Sequence, residues 1–130
     1  MVGFYFLLGF ALLVLATVIW LVLRHRVKIS LPQKIRLREA WNEAIAIKDP
    51  ARRVLEAEKV CDAVLKALAY HGTFAEKLQQ AGPQLTHVDA IWNAHRLRNM
   101  IAHEVGVRVS SAQGDRALQA FAVIVHQFLA

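Results

Sequence analysis

The hydrophobic pattern of this chain has two regimes. Residues 1–23 carry no charged side chain and are almost unbroken Leu, Val, Ile, Phe and Ala. About 20 apolar residues at 1.5 Å each match a hydrocarbon core of about 30 Å, so this stretch predicts a transmembrane helix. A cleaved secretory signal is the competing reading. Against it, no basic residue precedes the run, and Ile19-Trp20-Leu21-Val22-Leu23 leads into Arg24 without a small-residue cleavage site. Tyr5 and Trp20 stand near the two ends, where amphipathic rings favour the membrane interface.

Beyond Arg24 the apolar positions recur with helical period. Ser30-Leu31-Pro32 breaks the juxtamembrane segment, with Pro32 suited to the first turn of a new helix. Residues 33–47 then space Ile35, Leu37, Ala40, Trp41, Ala44 and Ile45 mostly three or four apart. Asp49-Pro50 reads as an N-cap and first helical residue, opening a helix that runs to about Tyr70 and stops at Gly72. Its apolar face comprises Val54, Ala57, Cys61, Val64, Leu65 and Leu68. Thr73-Phe74-Ala75-Glu76 is a capping box for a short helix ending at Gly82-Pro83.

Thr86 is expected to cap the next helix, which buries Val88, Ile91 and Trp92 and ends near Gly106. A final helix after Ser110 or Ser111 carries Leu118, Phe121, Ala122, Val125, Phe128 and Leu129 in register. Nothing alternates with period two, so no sheet is predicted. The expected fold class is all-α: one N-terminal transmembrane helix, then an up-and-down bundle of four to five helices. The corresponding division is an anchor over 1–23, a basic juxtamembrane segment over 24–38 and the bundle over 39–130.

Charge refines this picture. The net charge is +6, and Arg24, Arg26, Lys28, Lys34, Arg36 and Arg38 all precede the first acidic residue, Glu39. From Glu39 onward basic and acidic residues balance at ten each. Basic residues directly after an apolar span mark the cytoplasmic flank, and Arg24, Arg26 and Lys28 are placed to meet anionic headgroups. The expected location is the plasma (inner) membrane, single-pass, with the N-terminus outside and the C-terminal domain in the cytoplasm. The lone Cys61 has no partner for an internal disulfide and falls on an apolar helix face, as a small buried hydrophobe does.

Candidate chemistry gathers on one helix, in Leu97-Arg98-Asn99-Met100-Ile101-Ala102-His103-Glu104. At about 100° per residue, Asn99 and His103 lie one turn apart on one side, His95 extends the line and Arg98 borders it. A metal site is disfavoured: His95 and His103 are about 12 Å apart along a helix axis, too far to share a zinc ion. No glycine-rich phosphate loop and no nucleophile elbow is present. No metal and no cofactor is expected. Two readings of the strip remain. In one, His103 moves a proton, Arg98 holds a phosphate by paired hydrogen bonds and Asn99 orients either group. In the other, Arg98 pairs with Glu104 or Asp89 while Asn99 and His103 hydrogen-bond inside the bundle.

The string from Trp92 to Glu104 resembles the HEPN superfamily, all-helical domains marked by an arginine, a polar residue, three further residues and a histidine. Here these are Arg98, Asn99, Met100-Ile101-Ala102 and His103. The likeness is to the form found in small bacterial proteins with one N-terminal membrane helix, and it covers residues 39–130. It implies a dimer whose two motifs face each other to form one metal-independent endoribonuclease site. His103 would be the acid–base, Arg98 the phosphate clamp and Asn99 the orienting residue, with His95 and Glu104 in support. It equally implies a non-catalytic role, because other members are inactive binders or partner modules. The neutral domain, lacking the electrostatic pull that RNA binding uses, favours a dimeric, membrane-anchored interaction module. Its expected partners are the membrane, a second copy, and RNA or another protein.

Overall fold

The computed structural model describes residues 1–24 and 27–130. All regular structure among them is helical: α1 (Val2–Arg24), α2 (Leu31–Ile45), α3 (Pro50–Ala67), α4 (Phe74–Ala81), α5 (Val88–His103) and α6 (Ser111–Leu129), with a 3₁₀ turn at Gly82–Gln84. Within α1, Val2–Val22 is long and apolar enough to cross a membrane, with a mean hydropathy of 2.5 and no part of it buried in the protein. Its apolar surface is left uncovered by the rest of the protein.

The globular part is built around α3, which packs on α2, α4, α5 and α6, while α6 also packs on α5 and α2. The largest wholly buried side chains are Phe121, Leu65, Leu78, Ile91, Ile124 and Leu129, each contributing about 1.5–3 kcal/mol by leaving water. Cys61 lies in this core with its Sγ 3.4 Å from the Phe121 carbonyl oxygen. Ile29 is also buried, so the core begins ahead of α2 and within the basic segment.

Local signals set most helix ends. Asp49 accepts a 2.8 Å hydrogen bond from the Arg52 amide at the start of α3, and Pro32 occupies the first turn of α2. Both α4 and α6 open with reciprocal capping boxes, Thr73 with Glu76 and Ser110 with Gln113.

Three boundaries differ from the expectation. α2 begins at Leu31 with Pro32 in its first turn as expected, but stops at Ile45 instead of Ile47, where the Ile47 amide turns to the Ala44 carbonyl in a tighter last turn. α3 stops at Ala67 instead of continuing to Tyr70. Ala69 turns left-handed at φ 65°, its amide donates to the Lys66 carbonyl and the Tyr70 amide to the Leu65 carbonyl, closing the helix as glycine usually does. The N-cap of α5 is His87, at φ 53° and without a side-chain cap bond, one residue past Thr86.

Two glycines are required by close approach. Gly72 has φ +99°, and a Cβ there would lie 2.3 Å from Glu76 Oε2, inside the α4 capping box. A Cβ on Gly114 would lie 3.0 Å from Pro50 Cβ, so the start of α6 sits on the start of α3 through this residue. The Arg53–Asp115 ion pair at 2.9 Å ties the same two helix ends together.

Candidate functional site

Helix α5 carries the polar strip, and the side chain that organises it comes from α3. Glu58 follows Val54 by one turn and sits among Ala57 and Cys61, so helical geometry turns a carboxylate into the core, where it is 4% exposed. A buried carboxylate requires cations or donors, and α5 supplies them. His95 Nδ1 lies 2.8 Å from Glu58 Oε2. Arg98 Nε lies 3.0 Å from Glu58 Oε1, an ion pair in which the N–H is not aligned as a hydrogen bond.

Asn99 closes the cluster. Its Nδ2 is 3.1 Å from His95 Nε2, and its Oδ1 accepts from Arg98 Nη1 at 3.3 Å. The four residues thus form a closed cycle, Glu58 to His95 to Asn99 to Arg98 and back to Glu58. The cycle assigns the tautomer of His95, with Nδ1–H donating to Glu58 and Nε2 accepting from the Asn99 amide. The imidazole is further held by Phe74 and Trp92, at centroid distances of 5.2 and 5.9 Å.

Beside the cycle, Lys77 of α4 reaches Asp62 of α3 at 2.7 Å, with only 7% of the lysine side chain exposed. Both pairs line a cavity of about 410 Å³ whose wall also includes Thr73 and Phe74. Two cations, Arg98 and Lys77, face two carboxylates, Glu58 and Asp62, so their charges cancel. Both nitrogens of His95 and both oxygens of Glu58 are engaged, which leaves neither poised as a free base.

The Arg-Asn-x3-His motif is therefore divided. Arg98 and Asn99 belong to the cycle, whereas His103 ends α5 exposed, with no hydrogen bond or ion pair among the described residues. Glu104 is exposed beside it and does not pair with Arg98; neither does Asp89. His95 is the central imidazole of the strip. Of the three residues assigned to the membrane surface, Arg24 is the last residue of α1, Lys28 is exposed, and Arg26 lies outside the described residues.

Glu58, Asp62 and Lys77 were not singled out from the sequence. Their signal is a charged residue inside a helical apolar face: Glu58 within Val54-Ala57-Cys61, and Lys77 beside Phe74, Leu78 and Ala81. Cys61 contributes no nucleophile. Burial above all, with Glu58 and Asp62 adding their negative charge, pushes its thiol well above the ordinary cysteine range. Among the described residues, no three His, Cys, Asp or Glu side chains converge as a metal site needs.

Comparison with protein-family models, with curated proteins and with solved structures finds no match for this chain.

Proposed function

We propose that this chain is a membrane-anchored, HEPN-like interaction module that acts as a homodimer on the cytoplasmic face, with its α5 strip serving the fold. The observation that carries this reading is the closed cycle of Glu58, His95, Asn99 and Arg98, which engages the clamp and orienting residues of the motif in contacts within the bundle. A buried carboxylate held by two α5 side chains reinforces the packing of α5 on α3, and with it the shape of the surface offered to a partner. The six basic residues before Glu39 support the cytoplasmic side.

Self-association is supported by a groove of about 620 Å³ between α5 and α6, floored by Ala90, Ala94, Ala117 and Ala120 with Leu97 and Val123 at its sides. Small residues let a helix approach closely, so a helix of a second copy fits this floor. The full chain in lipid nanodiscs tests the reading. Asn99→Ala is expected to lower both melting temperature and dimer fraction while assorted RNAs stay uncut; an unchanged dimer fraction and melting temperature refute it.

One observation favours a second reading, a metal-independent endoribonuclease with a composite site at the dimer interface. His103 is exposed at the end of α5, and the side chain of Arg98, five residues before it, is 28% exposed. In that reading two copies of His103 meet across the interface as acid and base. RNA cleavage in the presence of a chelator, abolished by His103→Ala with melting unchanged, would establish it in place of the first.

A further inference from the structure

The first two turns of α2 expose apolar side chains among basic ones, while farther along the same side Glu39, Asn42 and Glu43 make the surface polar. α2 buries Trp41 and Ala44 and packs Leu37 and Ala40 against the core. On its outer side Leu31 and Ile35, one turn apart, are 68% and 47% exposed, and Val27 just before them is 48% exposed. Basic residues flank this stripe: Lys28 and Arg36 are exposed, and Lys34 gives one donor to the Ala130 carbonyl at 3.2 Å and keeps two.

An apolar stripe with a cationic rim is the pattern of a helix lying in a membrane interface. Chain connectivity brings this stripe to such a surface. Arg24 ends α1 and Leu31 begins α2, so the first turn of α2 is held within about 25 Å of the end of the span even at full extension. No acidic residue occurs before Glu39, and the charge of the whole segment therefore complements anionic headgroups. Beside the stripe opens a cleft of about 590 Å³, lined by Lys28 and Lys34 with Val27, Ile29, Tyr70 and Phe128. Its two ammonium groups over apolar and aromatic walls match a lipid phosphate with the upper part of its chains.

We infer that the bundle docks onto the bilayer through the first two turns of α2, with Val27, Leu31 and Ile35 immersed and Lys28 and Lys34 holding the phosphate of an anionic phospholipid. The inference rests on the membrane anchor proposed above and adds a fixed orientation of the domain. The Ala130 end of α6 lies beside Lys34, so the start of α6, 19 residues back along the helix, points away from the membrane.

The test uses the full chain in vesicles of phosphatidylcholine, with and without phosphatidylglycerol. Single environment-sensitive fluorophores are placed through Ile35→Cys, Val14→Cys and Gln113→Cys, and lipids bearing a quencher in the acyl region report immersion. Buried Cys61 stays unlabelled. Quenching at positions 14 and 35 but not at 113, stronger at 35 on the anionic vesicles, is the expected result. Lys28→Gln and Lys34→Gln should each lower the docked-to-free ratio roughly five-fold on those vesicles. Quenching at 14 with position 35 left in water overturns the docking while the anchor stands. No quenching at 14 removes the anchor and the docking together. Equal quenching at 35 on both lipids overturns the role given to the phosphate.

Discussion

Glu58 and His95 meet at 2.8 Å across the joint between α3 and α5, although 37 positions separate them in the chain. The contact occupies one oxygen of a carboxylate that is almost wholly withdrawn from water, and Arg98 stands at the other. Removing one partner of a buried ionic group costs more than the group contributes when paired, because the remaining charges lose their compensation. Glu58→Ala should therefore destabilise the protein by about 3 kcal/mol, measured by denaturant unfolding of the full chain in detergent. A double-mutant cycle with His95→Ala should return a coupling of about 0.5–3 kcal/mol; additive losses would show that the two residues act independently.

Asn99 and His103 lie one turn apart and should respond differently. Asn99→Ala leaves the Nε2 of His95 without its donor, at a cost of about 1–3 kcal/mol. His103→Ala removes an exposed ring that has no hydrogen bond or ion pair among the described residues, and its effect should stay within about 0.5 kcal/mol. Melting temperatures of the two variants check both statements, and equal losses would contradict the division of the motif.

Ala69 holds a backbone conformation at φ 65° that a Cβ disfavours. Ala69→Gly should accordingly raise stability, by about 0.5–1 kcal/mol after the extra freedom of glycine in the unfolded chain is counted. A lower unfolding midpoint in this variant would mean that the Ala69 methyl makes contacts worth more than the strain.

Gly114 has the opposite requirement. A branched side chain there meets Pro50, where even a Cβ would sit at 3.0 Å. Gly114→Val should cost about 1–3 kcal/mol by forcing α6 away from α3. Urea unfolding measures it, and full stability would show that the helix ends separate freely.

The α4 capping box makes one part of the stability pH-dependent. Hydrogen bonds from the Thr73 backbone, first, and its side chain hold the Glu76 carboxyl below the ordinary glutamate range. A folded-state value below the unfolded one means stabilisation that is fully present above the unfolded value and is lost as pH falls through the folded value. Melting temperature should thus decline on acidification below the ordinary glutamate range. Glu76→Gln should flatten that decline, and an unchanged profile would assign the acid sensitivity to other groups.

Much of this architecture was readable along the chain, because the interactions responsible span only a few residues. The apolar run of α1, the Asp49 N-cap, and the Thr73 and Ser110 capping boxes each follow from side chains three or four positions apart. The misplaced ends had equally local causes that composition does not reveal. Ala69 accepted a conformation usually left to glycine, while Gly72 served the start of α4 instead of the end of α3.

The residues of the α5 strip were recognisable by their spacing, since a helix puts positions four apart on one side whatever surrounds it. Their division was not. Whether Arg98 turns to Glu104 on its own helix or to Glu58 on another depends on how α5 crosses α3, and that crossing is set by core packing summed over many side chains. Sequence alone determined that this chain is helical, carries one apolar N-terminal helix and concentrates its polar chemistry on α5, because each of these is a short-range property of the backbone and its neighbours. Tertiary structure alone decided that Glu58 captures His95 and Arg98 while His103 stays in solvent, because burial and pairing are properties of elements brought together from distant parts of the chain.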